Sequence, residues 1–160
     1  MNIDLRRFFE NDDIRQNFDY KCSVDDELLD GSISVNGGLK SSTGVVSLSA
    51  TAEFSVSTQC AKCAKDISRK LSVPVEHLLI SHLNDEDNDD YILVENMVLD
   101  LDELVIEDVF LSLPSRFLCK SDCKGLCNYC GHDLNESDCG CKKPVDPRLA
   151  ALQQLLSDEE

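Results

Sequence analysis

The stretch Val45-Val-Ser-Leu-Ser-Ala-Thr-Ala-Glu-Phe-Ser-Val-Ser-Thr58 decides the fold class. Val46, Leu48, Ala50, Ala52, Phe54 and Val56 fall on one side, and Ser47, Ser49, Thr51, Glu53, Ser55 and Ser57 on the other. That is a period of two, the mark of a strand with one dry face and one wet face. Ile67, Arg69, Leu71, Val73 and Val75 continue the alternation after a break, with Pro74 expected at an edge or a bend. Between the two runs sits Cys60-Ala-Lys-Cys63, so a thiol pair is expected at the tip of a hairpin.

Working outward, Phe18, Tyr20 and Cys22 alternate as a short strand would, and Cys22 reads as a small buried apolar residue. Ile3, Leu5, Phe8 and Phe9 are expected to dock the N-terminal residues on the sheet. Gly31 to Val35 is a strand candidate, and Asn36-Gly37-Gly38 carries a turn signal. Beyond the hairpin, His77 and His82 flank apolar residues and are expected to be solvated or hydrogen-bonded rather than ligands. The acidic run at 84–90 lacks the glycine and terminal glutamate of a calcium loop and reads as a solvated loop. Tyr91 to Val94 is a further strand.

Asp100-Leu-Asp-Glu103 has capping-box spacing, and apolar residues from Leu101 to Leu113 recur at helical intervals up to Pro114. Asp146-Pro147 sets another helix start, followed by Leu149, Leu152, Leu155 and Leu156. The expected class is α+β: an antiparallel sheet, a covering helix, a cysteine-rich zinc-binding segment and a terminal helix. The expected division is a β-rich part at 1–118 and a cysteine-rich part at 119–160, packed on the first.

Six of the nine cysteines fall between Cys119 and Cys141, in CKSDCKGLCNYCGHDLNESDCGC. Thiol pairs joined by short turns point four sulfurs at one tetrahedral centre, the arrangement zinc takes in closed structural sites. One partition gives Cys127, Cys130, Cys139 and Cys141 to one zinc, and Cys60, Cys63, Cys119 and Cys123 to a second. A competing partition draws Cys123 into the C-terminal site and leaves Cys119 or Cys141 free, and the count of zinc ions is one or two. A third makes Cys60 and Cys63 a redox dithiol, which calls for a lowered thiolate pKa.

Composition narrows the function classes. The formal charge is −16, from 15 basic and 31 acidic side chains, so a broad nucleic-acid footprint is not expected. No apolar run approaches a membrane span, and the N-terminal residues lack a secretory core, so a cytoplasmic address is expected. In a reducing compartment, clustered cysteines favour metal over disulfides. Residues 1–118 carry 10 basic and 23 acidic side chains, and residues 119–160 carry 5 and 8. Closing the hairpin site would gather Lys62, Lys65, Lys120 and Lys124, with Arg116, Lys142 and Lys143 nearby. These either offset zinc–thiolate charge or form a local phosphate-contacting face. Tyr129 and His132 are candidates to stack on a base or to pack against the terminal helix. No serine sits in a nucleophile-elbow motif, and no catalytic residue is assigned.

The run Leu113-Pro114, Cys119, Cys123-Lys-Gly-Leu-Cys127, Cys130-Gly131, Leu134-Asn135, Cys139-x-Cys141 and Asp146-Pro147-Arg148 resembles the bacterial YceD family. So do the hairpin cysteines and the acid-capped helix before Leu-Pro. Asn128 stands where relatives often carry Pro. The resemblance implies a non-enzymatic role in large-subunit ribosomal RNA accumulation or processing and in ribosome biogenesis. Some members lack the C-terminal cysteine cluster, which implies that it elaborates the shared function. Three partners are compatible with the acidic body: ribosomal RNA met through the basic zinc end, a basic ribosomal protein, or a processing nuclease. The alternatives are a zinc-ribbon adaptor between proteins and a thiol oxidoreductase.

Overall fold

The computed structural model describes residues 1–82 and 91–141. The acidic run at 84–90, Lys142, Lys143 and the expected terminal helix lie outside these residues.

The elements in order are β1 (Asn2–Asp4), α1 (Arg6–Glu10), β2 (Arg15–Ser23), β3 (Leu29–Ser42), β4 (Val45–Gln59), β5 (Asp66–Ile80), β6 (Tyr91–Leu93), β7 (Val98–Asp100) and α2 (Leu101–Ser112). One sheet has the order β2-β3-β4-β5-β6, and β1 pairs with β7 in a separate two-stranded ribbon. Val46, Leu48, Ala50, Ala52, Phe54 and Val56 of β4 are all buried, as their alternation requires. They face a core that includes Ile33, Val35, Val73, Val75 and Leu79 from the neighbouring strands.

Two details differ from the sequence reading. Asn36-Gly37-Gly38 is not a turn. It lies inside the 14-residue β3, and the reversal comes at Thr43-Gly44. A Cβ at Gly37 would fall 2.3 Å from the Ala50 Cβ, so glycine here permits close approach of two strands rather than a chain reversal. The sheet is also not wholly antiparallel. β6 runs parallel to β5, pairing Leu78 with Tyr91. Pro74 pairs with Thr51 of β4, and β6 meets β5 only from Leu78 to Ile80, so no ladder bond is lost on the far side of Pro74.

Helix α2 begins where Asp100 accepts the backbone N–H groups of Asp102 and Glu103, and it stops ahead of Pro114. Its Leu101, Val105 and Val109 are fully buried in the main core, each contributing about 1.5–3 kcal/mol. His77 of β5 lies 2.7 Å from Asp108 of α2, a half-buried polar tie between sheet and helix. Ile3, Leu5 and Phe8 are buried in the same core, as is Cys22, whose thiol faces the Ile33 carbonyl. A second, smaller cluster forms at the far end of the β4–β5 hairpin from Cys60, Cys63, Ile67 and Cys123, with Phe117, Leu118 and Cys119 packed on it.

Candidate metal centre

The last pair of the hairpin is Gln59 with Asp66, leaving Cys60 to Lys65 as its tip. Here the Ala64 N–H donates to the Cys60 carbonyl at 2.9 Å, and the Cys60 N–H donates to the Lys65 carbonyl at 2.8 Å. The same two bonds recur 67 positions on: Gly131 N–H to the Cys127 carbonyl at 2.9 Å, and Cys127 N–H to the His132 carbonyl at 2.8 Å. Ala64 and Gly131 both take positive φ, 56° and 73°. CAKCAK and CNYCGH are thus one knuckle built twice. Each folds two thiols of a Cys-x-x-Cys toward a common point, and each needs a second pair to complete four.

The structure supplies those pairs. Cys60, Cys63, Cys119 and Cys123 form one group and Cys127, Cys130, Cys139 and Cys141 the other, with sulfurs within 4.8 Å of one another in each. In the first group Cys60 Sγ lies 3.8 Å from Cys123 Sγ, and Cys63 Sγ lies 3.5 Å from Cys119 Sγ. Four sulfurs at about 2.3 Å from one ion stand roughly 3.8 Å apart, so the spacing suits a four-sulfur metal site. Backbone and side-chain donors face the sulfurs as well: Cys119 N–H to Cys60 Sγ at 3.3 Å, and Asn135 Nδ2 to Cys123 Sγ at 3.5 Å. Such bonds favour thiolate over thiol. Cys22 belongs to neither group.

The two groups differ in setting. Cys60, Cys63 and Cys123 are buried, whereas Cys130 and Cys141 are exposed. Burial pushes the Cys60 thiol up, but N–H groups of Cys119, Lys62 and Cys63 outweigh it and bring the thiol down to about 6. Cys127 is likewise held at about 6 by the N–H groups of Cys130 and Tyr129. Cys119 is pushed up to about 12 by burial and by donation to Cys63 and Cys123. Cys141 reaches about 12 through donation to Cys130 and Cys139. Binding of a divalent cation to these thiols would release protons.

Polar bonds tie the halves of the first group together and link that group to the second. Lys62 Nζ donates to the Cys123 carbonyl at 2.9 Å, and the Leu126 N–H donates to the Lys62 carbonyl at 3.1 Å. Lys65 Nζ sits 2.9 Å from Asp133 and 3.3 Å from Glu136, beside the second knuckle. The Lys65 ammonium, with the Asn135 N–H groups, holds the Asp133 carboxyl down at about 2. Lys120 lies 3.9 Å from Asp122. Lys124 and Arg116 are exposed with no ion pair among the described residues, and Tyr129 is 56% exposed. His132 meets Ser137 at 2.8 Å. Arg69, read in the sequence only as a member of the β5 alternation and not as a site residue, donates to the carbonyls of Leu118 at 2.7 Å and Cys119 at 3.0 Å. Its sequence signal is a lone basic residue in register with the apolar Ile67, Leu71, Val73 and Val75 on the strand that leads out of the thiol pair.

The family model described as "Large ribosomal RNA subunit accumulation protein YceD" matches residues 48–156. The chain is similar to the uncharacterized protein YlbN of Bacillus subtilis (strain 168), 32% identical over 106 residues, covering 63% of this chain and 60% of the relative. It is similar to the uncharacterized protein Rv2926c of Mycobacterium tuberculosis (strain H37Rv), 30% identical over 105 residues, covering 63% of this chain and 51% of the relative. The match thus spans little more than half the length of these curated relatives. No solved structure matches the chain at a significant level.

Proposed function

Since this chain belongs to the YceD family, we propose that it is a non-enzymatic factor in the accumulation and processing of large-subunit ribosomal RNA in the cytoplasm. Zinc would be held by Cys60, Cys63, Cys119 and Cys123 at one site and by Cys127, Cys130, Cys139 and Cys141 at the other. Its part would be structural: fixing segments some sixty residues apart in sequence into one rigid tip. The observation that carries this reading is that both four-sulfur groups are complete, because a closed site leaves no coordination position for a substrate. The union of Cys60 and Cys63 with Cys119 and Cys123 supports structural thiols rather than a free redox pair.

The tip is the proposed working surface, in contact with ribosomal RNA, a basic ribosomal protein or a processing nuclease. Lys62, Lys65 and Lys120 are engaged with backbone carbonyls or carboxylates, which weakens a broad phosphate-binding face. Lys124 and Tyr129 remain exposed and are the side chains proposed to meet a partner, with Lys142 and Lys143 adding charge. The same inventory favours a protein partner over extensive RNA contact, because complementary charge between an acidic body and a basic protein speeds encounter. Depletion followed by gradient profiling of ribosomal subunits tests the proposal. A diminished large-subunit peak, restored by the wild-type chain and not by a Lys124→Ala/Tyr129→Ala variant, is the expected result. Unchanged large-subunit and rRNA levels in depleted cells would overturn it.

A further inference from the structure

Away from the cysteine tip, β6, the turn into β7 and the first half of α2 enclose a groove of about 380 Å3. Its apolar lining comes from Ile92, Leu93 and Leu104, all half-buried, and Val98, which is 41% exposed. Leu104, Glu107 and Leu111 share one face of α2, so the apolar lining runs on to Leu111, which is 78% exposed. Around this lining stand the exposed carboxylates of Glu95, Asp100, Glu103 and Glu107.

The charge here is one-sided. Among the described residues, 71–82 and 91–115 contain seven Asp or Glu and not one Lys or Arg. Glu95, Glu103 and Glu107 have no ion-pair partner among the described residues, and Asp100 has only the Met1 amino group, 3.8 Å away. His77, the nearest titratable base on the adjoining strand, is taken up by Asp108. The three unpaired carboxylates of Glu95, Glu103 and Glu107 repel phosphate, so nucleic acid and anionic lipid are unsuited to this face. Cationic groups on the rim would gain from them, and aliphatic groups on the lining would leave water.

We infer that this groove docks a Lys- and Arg-rich polypeptide segment carrying aliphatic side chains, with the aliphatic groups against Ile92, Val98 and Leu104 and the cations against Glu95, Glu103 and Glu107. The carboxylates from Asp100 to Glu107 extend over about 10 Å of helix, matching roughly two turns of a helical segment. The docking face is separate from the cysteine tip. It holds whether or not the ribosomal reading does, because it specifies only the chemistry of the occupant.

The test uses the full-length, zinc-loaded chain and a synthetic 12-residue peptide rich in Lys and Arg, with Leu at helical spacing. A second peptide carries Ser in place of each Leu. Fluorescence anisotropy should show the leucine peptide binding at least tenfold more tightly than the serine peptide. Glu95→Lys/Glu107→Lys should weaken binding at least tenfold, with circular dichroism and zinc content unchanged. Amide shift changes should gather between Ile92 and Leu111. Equal binding of the two peptides, wild-type affinity in the variant, shifts confined to the cysteine tip, or no binding would overturn the assignment. So would displacement of the leucine peptide by oligouridine.

Discussion

Gly125→Ala tests how tightly the two cysteine groups are joined. Gly125 has φ +78°, and a methyl group there would lie 3.0 Å from the Lys62 carbonyl oxygen and 3.2 Å from the Lys62 Cβ. The left-handed conformation costs an alanine about 1–2 kcal/mol. The contact with Lys62 adds about 1–3 kcal/mol, because the first atom met is backbone within the Cys60–Cys63 knuckle and has little room to yield. That carbonyl also accepts the Leu126 N–H at 3.1 Å, so moving it strains the bond linking the two knuckles. Together these terms come to about 2–5 kcal/mol, which for a chain of this length lowers Tm by about 5–15 °C. Gly131→Ala is the internal comparison. Its φ is +73° with nothing within 4 Å of the added Cβ, so only the backbone cost applies. Thermal unfolding of the zinc-loaded proteins by circular dichroism should rank them wild type, Gly131→Ala, Gly125→Ala, from most to least stable. Equal Tm values for the two variants would refute the claim that the knuckles are packed against each other at Lys62.

Ala64→Gly should stabilise the chain, because Ala64 holds φ 56° where the second knuckle has glycine. Relief of the left-handed strain outweighs the added freedom of the unfolded chain by up to about 1 kcal/mol, or about 2–4 °C in Tm; a fall in Tm would contradict this. Asp133→Asn probes the tie from Lys65. A carboxyl lowered from its ordinary value of 3.8 to about 2 stabilises the folded state above the ordinary value and loses that contribution as pH falls toward 2. Denaturant titrations should therefore show wild type more stable than Asp133→Asn at pH 6, with the gap closing between pH 4 and pH 2. A gap that is constant with pH would exclude the ion pair as its source.

Much of this architecture is legible in the residues, and the exceptions have physical causes. The alternation of β4 announces its buried face because one side is wholly aliphatic or aromatic and the other wholly polar. The Asp100 cap and the apolar stripe of α2 are read from local spacing alone. By contrast, Gly37 and Gly38 look like a turn, because a glycine required for close strand approach and one required for chain reversal are the same letter. The direction of β6 is invisible, since three residues carry no record of which way they pair. Counting cysteines suggests two groups of four, but only the fold places Cys123 with Cys60 and Cys63 rather than in the C-terminal group. The lysines are a different matter. Lys65 finds Glu136, 71 positions away, and Lys62 finds a backbone carbonyl, pairings that local sequence cannot signal. The acidic groove is half legible: the absence of Lys and Arg from 71–115 is plain, but only the fold sets those carboxylates around an apolar lining.

Zinc content of the purified full-length chain tests the central claim most directly. Two zinc ions per chain are expected, falling to one in Cys60→Ser and to one in Cys139→Ser. A single zinc per chain that Cys60→Ser leaves unchanged would contradict it.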